Sequence, residues 1–311
     1  SGRPVNVNSL AAIFAKGFLA GLVVCFALAT VYLLSVRTVR KESDMKQITS
    51  ARCISCIPEV VPKKRSNNKK LKLLITNKRI DWGFKQSMLM IQSRLQQIMR
   101  RTGDKVLLIT STIPAEGKTM TAVNMALAFA QEGMKVALLD GDLRKPSVCE
   151  LMKLPEGPGL TEYFRGESTP EEIQVVKDGV TFFRAGQKKG KVSGLIDEEK
   201  MNSLLEKLRK EYDVILMDAA PSYVFSDAMI LSSYADKVLY VVRVDKADAK
   251  AIQVGMNSFE EKEKLIGYVI NRDTGGYISQ SRYGYGRYGK YQKYRKYAEL
   301  DEETMNTEDT L

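Results

Sequence analysis

The stretch KVLLITSTIPAEGKTMTAVNMALAFA, residues 105 to 130, limits the fold more than any other part of the chain. A strand-like apolar run, Val106 to Thr110, meets a turn, then Gly117-Lys118-Thr119, then a helical pattern with apolar residues at 123, 127 and 130. A phosphate loop needs this order, because the backbone N–H groups at a helix start enclose phosphate oxygens. In such a loop Lys118 neutralises the β and γ phosphates and the Thr119 hydroxyl ligates Mg2+. Pro114, Ala115, Glu116, Gly117 and Met120 complete the candidate phosphate loop. The pattern G-x-x-x-x-G-K-[ST] lacks its first glycine, with Thr112 in that place. On its own the loop could therefore be a plain strand-turn-helix unit.

Two further stretches bear on that choice. VALLDGDLRKP (136 to 146) is an apolar run ending in Asp140 and Asp142, and VILMDAAP (214 to 221) is another ending in Asp218. Acidic residues can simply start loops, but carboxylates at the carboxyl ends of parallel strands lie on the edge where open α/β sheets bind ligands. KVLYVVRV (237 to 244) and LIGYVINR (265 to 272) add two more strands, with helix-compatible stretches between them. This alternation predicts an α/β fold with a doubly wound, mostly parallel sheet. Upstream, DWGFKQSMLMIQSRLQQIMR (81 to 100) has apolar residues at 84, 88, 91, 95 and 98, the spacing of a helix leading into the domain.

The chain has no His, which excludes Ser-His and Cys-His triads and leaves acid-base chemistry to Asp, Glu, Lys or Tyr. Cys25, Cys53, Cys56 and Cys149 are too few and scattered for a disulfide framework, and Cys53 and Cys56 have no second pair to complete a zinc site. The formal charge of +11 belongs to segments: eight cations between Lys63 and Arg79, six among the tail tyrosines, and six acids in Glu299 to Leu311. Such basic runs suit anionic lipid, nucleic acid or an acidic partner, or else form a solvated linker.

Near the start, FLAGLVVCFALATVYLLS (18 to 35) carries no charge and is long enough to span a bilayer. Arg37, Arg40, Lys41, Lys46 and Arg52 follow it, against Arg3 and Lys16 before it, so the positive-inside bias places everything downstream in the cytoplasm. The expected organisation is an extracytoplasmic remnant of a longer chain (1–10), a transmembrane helix (11–36), a basic linker (37–80), a nucleotide-binding domain (81–273), and a Tyr-rich tail with an acidic end (274–311). That tail holds Tyr277, Tyr283, Tyr285, Tyr288, Tyr291, Tyr294 and Tyr297, seven of the fourteen tyrosines. From Tyr285 they recur every three residues and spread around a helix, so they make no buried stripe, and a solvated low-complexity tail is expected.

Taken together, STIPAEGKT, LLDGDLRKP and VILMDAAP resemble the Walker A, A′ and B motifs of the bacterial tyrosine kinases of capsule and exopolysaccharide assembly, relatives of the deviant-Walker ATPases that include ParA and MinD. The resemblance covers about 80 to 272. The apolar span before it resembles the second transmembrane helix of a Wzz-type chain-length regulator, with CISCIPEV where such proteins carry an apolar segment ending in Ile-Pro. The resemblance implies a P-loop fold and a protein-tyrosine autokinase anchored in the bacterial inner membrane, acting on its own tail and regulating polysaccharide polymerisation and export. Lys118 and Thr119 would hold ATP and Mg2+, Asp142 and Asp218 would order the metal, and Asp140 would accept the tyrosine proton. Asn271 would contact adenine, while Arg144 would support the acids. The seven tail tyrosines would be the phosphoacceptors.

The implied partners are a membrane, the polysaccharide export machinery, a tyrosine phosphatase, and further copies of the chain, each docking its basic tail in a neighbour's acidic site. Each phosphotyrosine adds roughly −1.5 to −2 charges, so full modification would reverse the tail's sign and release it. The family's subunit-contact pattern E-x-x-R-x-x-R falls on Trp82, Lys85 and Met88, where only Lys85 keeps a charge. A nucleotide-binding regulator of polysaccharide assembly with weak or no transfer is therefore the competing class. A nucleic-acid-binding ATPase, using Tyr, Gly and Arg to stack on bases, is the third and fits a membrane span poorly.

Overall fold

In the computed structural model the described residues are 7–35, 37–60, 73–187, 194–260 and 263–273. In chain order they form α1 (Val7–Ser35), α2 (Glu42–Met45), β1 (Cys53–Pro58), α3 (Trp82–Thr102), β2 (Val106–Ser111), α4 (Lys118–Gln131), β3 (Val136–Asp140), α5 (Val148–Met152), α6 (Leu160–Arg165), β4 (Gln174–Lys177), β5 (Val180–Phe183), α7 (Glu198–Glu211), β6 (Val214–Asp218), α8 (Asp227–Tyr234), β7 (Lys237–Arg243), α9 (Ala249–Glu260) and β8 (Leu265–Asp273).

The strands make one eight-stranded sheet in the order β1-β8-β7-β2-β6-β3-β5-β4. Every pairing is parallel except that of β4 with β5. The central strands are buried on both faces, which is why they are continuous runs of Val, Ile and Leu rather than alternations. Successive residues still divide between two cores. Leu107, Ile109, Leu138 and Leu216 pack with Phe84, Met88, Ile91 and Leu95 of α3 and Val123, Leu127 and Phe129 of α4. Val106, Leu108, Leu139 and Met217 pack with Leu204 and Leu208 of α7, Leu231 of α8 and Ile252 and Met256 of α9. Helices on both faces give the doubly wound α/β architecture expected from the sequence.

Asp81 caps α3 by accepting a hydrogen bond from the Phe84 N–H at 3.3 Å, and Gly103, at φ 75°, ends it. The 37–80 region, expected as a linker, contributes to the sheet instead. β1 pairs with β8 as the edge strand, with Ile54 and Ile57 fully buried against α3. Val39 and Met45 are buried as well, and Thr38 bridges to Asp248. A strand there was hard to read because Ser, Cys and Pro interrupt it; the edge position tolerates Pro58. The β4–β5 hairpin was also unexpected, in a stretch read as helix-compatible. Its turn, Asp178-Gly179, has φ of 50° and 77°.

The bilayer span expected over 11–36 is corrected. Among the described residues no helix is long and apolar enough to cross a membrane. The inner-membrane localisation expected from that span is corrected with it. The seven tail tyrosines, Tyr277 to Tyr297, lie outside the described residues.

Candidate active site

The carboxyl ends of β2, β3, β6, β7 and β8 form one edge, and the expected site residues of the domain gather there. After β2 the chain turns through 112–117 into α4. Gly117 is the N-cap of that helix at φ 99°, where a Cβ would come within 2.2 Å of Asn271 Nδ2. Glycine is thus required at 117 both by conformation and by space. Ala115 also sits in the left-handed region, at φ 68°, a conformation that strains any residue with a Cβ. Asn271, at the end of β8, donates from Nδ2 to the Glu116 carbonyl at 2.7 Å and so pins the loop. Beside these lie Pro114, half-buried Met120 and Ile113.

Lys118 opens α4 and points into a buried acidic group. Its Nζ donates to Asp142 Oδ2 at 2.7 Å and to Thr119 Oγ1 at 3.3 Å, and lies 3.6 Å from Asp218 Oδ1, an ion-pair contact too long for a hydrogen bond. Thr119 Oγ1 donates to Asp218 Oδ2 at 2.6 Å. Asp140 and Asp218 are register partners on adjacent strands, both fully buried. Asp140 Oδ2 accepts the Val148 N–H at 3.2 Å, and Asp142 Oδ1 accepts the Lys145 N–H at 3.0 Å. Asp140 Oδ1 and Asp218 Oδ1 are buried without a hydrogen-bond partner.

The electrostatics follow from this packing. Burial, then the facing Asp218 carboxylate, pushes the Asp140 carboxyl well above its ordinary range. Burial likewise raises Asp218, although Lys118 and Thr119 oppose it. For Lys118 burial favours the neutral amine, but Asp218 and Asp142 outweigh it and raise its pKa. Among the described residues no three acidic side chains are placed to cage a metal ion by themselves, so an ion here would need oxygens from a bound substrate as well. Mg2+ typically takes one or two carboxylates and the phosphates of its substrate, so Thr119, Asp142 and Asp218 fit the ion that accompanies a nucleotide.

Arg144 turns away from this group. Its NH2 donates to Asp227 Oδ1 at 3.1 Å, and its guanidinium carbon lies 4.5 Å from the centre of the Phe225 ring. Two features escaped the sequence reading. Glu116 is fully buried, and its Oε2 accepts the Ile113 N–H at 2.8 Å while Oε1 accepts the Arg243 N–H at 3.3 Å. Arg243, at the end of β7, also donates from NH1 to the Ala115 carbonyl at 3.0 Å. The only hint of Arg243 in the sequence was its place at a strand end, shared with the acids.

A phosphate-type loop between strand and helix, with acids on the neighbouring strand ends, defines a P-loop NTPase fold. A model of the ParA family, described as NUBPL iron-transfer P-loop NTPase, matches residues 103–251. The chain is 33% identical over 196 residues to the tyrosine-protein kinase CpsD of Streptococcus pneumoniae, a match covering 59% of this chain and 82% of that protein. It is 24% identical over 297 residues to a putative tyrosine-protein kinase in the cps region of Klebsiella pneumoniae, covering 91% of this chain but 40% of the longer protein. The kinase domain of Escherichia coli tyrosine kinase ETK superposes with a TM-score of 0.69 at 24% identity, over 80% of this chain and all of that domain. The chain belongs to the bacterial tyrosine-protein kinase family.

Proposed function

We propose that the chain is a protein-tyrosine autokinase that moves the γ-phosphate of ATP to the tyrosines of its own tail, Tyr277, Tyr283, Tyr285, Tyr288, Tyr291, Tyr294 and Tyr297. The observation that carries this reading is Lys118 held between Asp142 and Asp218 beside the Thr119 hydroxyl, next to an Asp140 oxygen with no partner. Phosphoryl transfer asks mainly for positioning and charge neutralisation. Backbone N–H groups of 114–119 and the Lys118 ammonium would bind the phosphates, with Asn271 toward the base. Mg2+ at Thr119, Asp142 and Asp218 would supply positive charge across the phosphate oxygens. The tyrosine oxygen would attack the γ-phosphorus as its bond to the ADP oxygen breaks, and the phenolic proton would pass to Asp140. A carboxyl held high by its surroundings is a better proton acceptor, when ionised, than an ordinary Asp.

The relatives' names, one of them from a cps region, support a role in capsule or exopolysaccharide assembly; a tyrosine phosphatase would reset the tail. Copies of the chain would present their basic tails to one another's acidic sites. A regulator with weak transfer is the second reading. It is favoured by Met88, which stands in place of an arginine of the family's contact motif and is fully buried in the core. Asp140→Asn tests the first reading: in an autokinase it should still bind ATP while losing about 100-fold or more in phosphotyrosine formation. Unchanged transfer in that variant would remove Asp140 from the reaction.

A further inference from the structure

Glu116 is a buried carboxylate inside a loop built for anions. Its oxygens accept the Ile113 N–H of the loop and the Arg243 N–H of β7, and its own carbonyl accepts from Asn271 of β8. The residue thus ties the loop to β7 and β8. Beside it lies the buried Thr112 hydroxyl, which with the backbone N–H groups favours the ionised Glu116 carboxyl and, as a free rotor, can turn from donor to acceptor. Thr112 occupies the position where the loop pattern lacks its first glycine, so it supplies an oxygen that glycine would not. The groups facing Glu116 include no close counter-charge. From β7 they are Arg243, whose guanidinium is engaged by Ala115, and the buried Tyr240 phenol, paired with Ser222 at 2.9 Å. From β8 there is the uncharged Asn271, and Lys118, two residues along, is turned toward Asp142 and Asp218.

We propose that nucleotide binding to this loop is proton-linked: Glu116 takes up a proton as the phosphates enter, and the Thr112 hydroxyl oxygen accepts the hydrogen bond of the new carboxyl O–H. The proposal rests on the reading of 112–119 as a nucleotide loop. Polyanionic phosphate brought near a carboxylate in a poorly solvated site disfavours its ionised form. Free Glu116 is already poised for the change, since burial pushes its carboxyl up to about 7 against the pull of the backbone N–H groups. Bound phosphate raises it further, so affinity falls as pH rises above 7, by at most about tenfold per pH unit.

The test is calorimetric titration of ADP into the full chain at pH 8 with EDTA, in buffers of differing ionisation enthalpy. A group with a value of about 7 is roughly nine-tenths ionised at pH 8, so the uptake expected from Glu116 approaches about 0.9 proton per ADP. Uptake in the parent should exceed that in Glu116→Gln by about half a proton or more, and equal counts in the two overturn the proposal. If the Gln variant binds too weakly, infrared difference spectra on ADP addition decide. A protonated-carboxyl band that shifts with carbon-13 labelled glutamate supports the proposal, and its absence overturns it. Absence of ADP binding by the parent would remove the nucleotide reading itself, whereas binding without proton uptake removes only this inference.

Discussion

Removing the Lys118 ammonium leaves Asp140, Asp142 and Asp218 on one buried edge without their nearest cation. Taking away one partner of a buried ion pair typically costs 3–5 kcal/mol, so Lys118→Met should lose about 3 kcal/mol or more in urea unfolding near pH 7.5. The pH dependence has a definite sign. Asp140 and Asp218 are raised on folding, so they contribute stability below their ordinary range near 4 and lose it as the pH climbs through their folded values. Lys118 is raised as well, so its contribution holds below about 10.5 and disappears above. The deficit of Lys118→Met should therefore shrink as the pH falls and Asp140 and Asp218 take up protons; a deficit independent of pH would contradict the charge arrangement. Ala115 offers a change in the other direction. A left-handed residue with a Cβ costs roughly 1–2 kcal/mol, and Ala115→Gly should recover about 1 kcal/mol. A lower Tm in that variant would show that the loop is not strained there.

At the scale of elements, β1 is the part most open to test. It closes the sheet beside β8 and buries Ile54 and Ile57, each contributing about 1.5–3 kcal/mol relative to exposure. A chain starting at residue 81 uncovers β8 and part of α3; it should be insoluble, or less stable by about 4 kcal/mol or more than a chain starting at 37. Equal urea midpoints for the two would mean that β1 adds nothing to the sheet. The five strands that build the site edge were legible because each is an apolar run whose composition serves burial on both faces. Lys118 and the acids were legible because they follow such runs directly. β1 was not, since Cys53 to Pro58 is short and sits between basic stretches. Asp178-Gly179 between VV and VTFF was a hairpin signal that went unread. Glu116 could be seen as a loop residue, but the partner of its Oε1 lies 127 positions away at Arg243, and a contact of that range leaves no local pattern.

For the whole molecule, charge connects the site to the tail. The chain carries a formal +11, and phosphate on all seven tail tyrosines would add about −10 to −14, bringing it to roughly +1 to −3. Fully modified protein should therefore elute far earlier from a cation exchanger than the parent. The most direct test of the autokinase reading is intact mass with peptide mapping after incubation of the full chain with Mg-ATP, beside Lys118→Met. The account predicts several phosphates confined to tyrosines between 277 and 297 in the parent and none in the variant. ATP binding by the parent with no phosphotyrosine, or phosphate that forms equally in Lys118→Met, would contradict it.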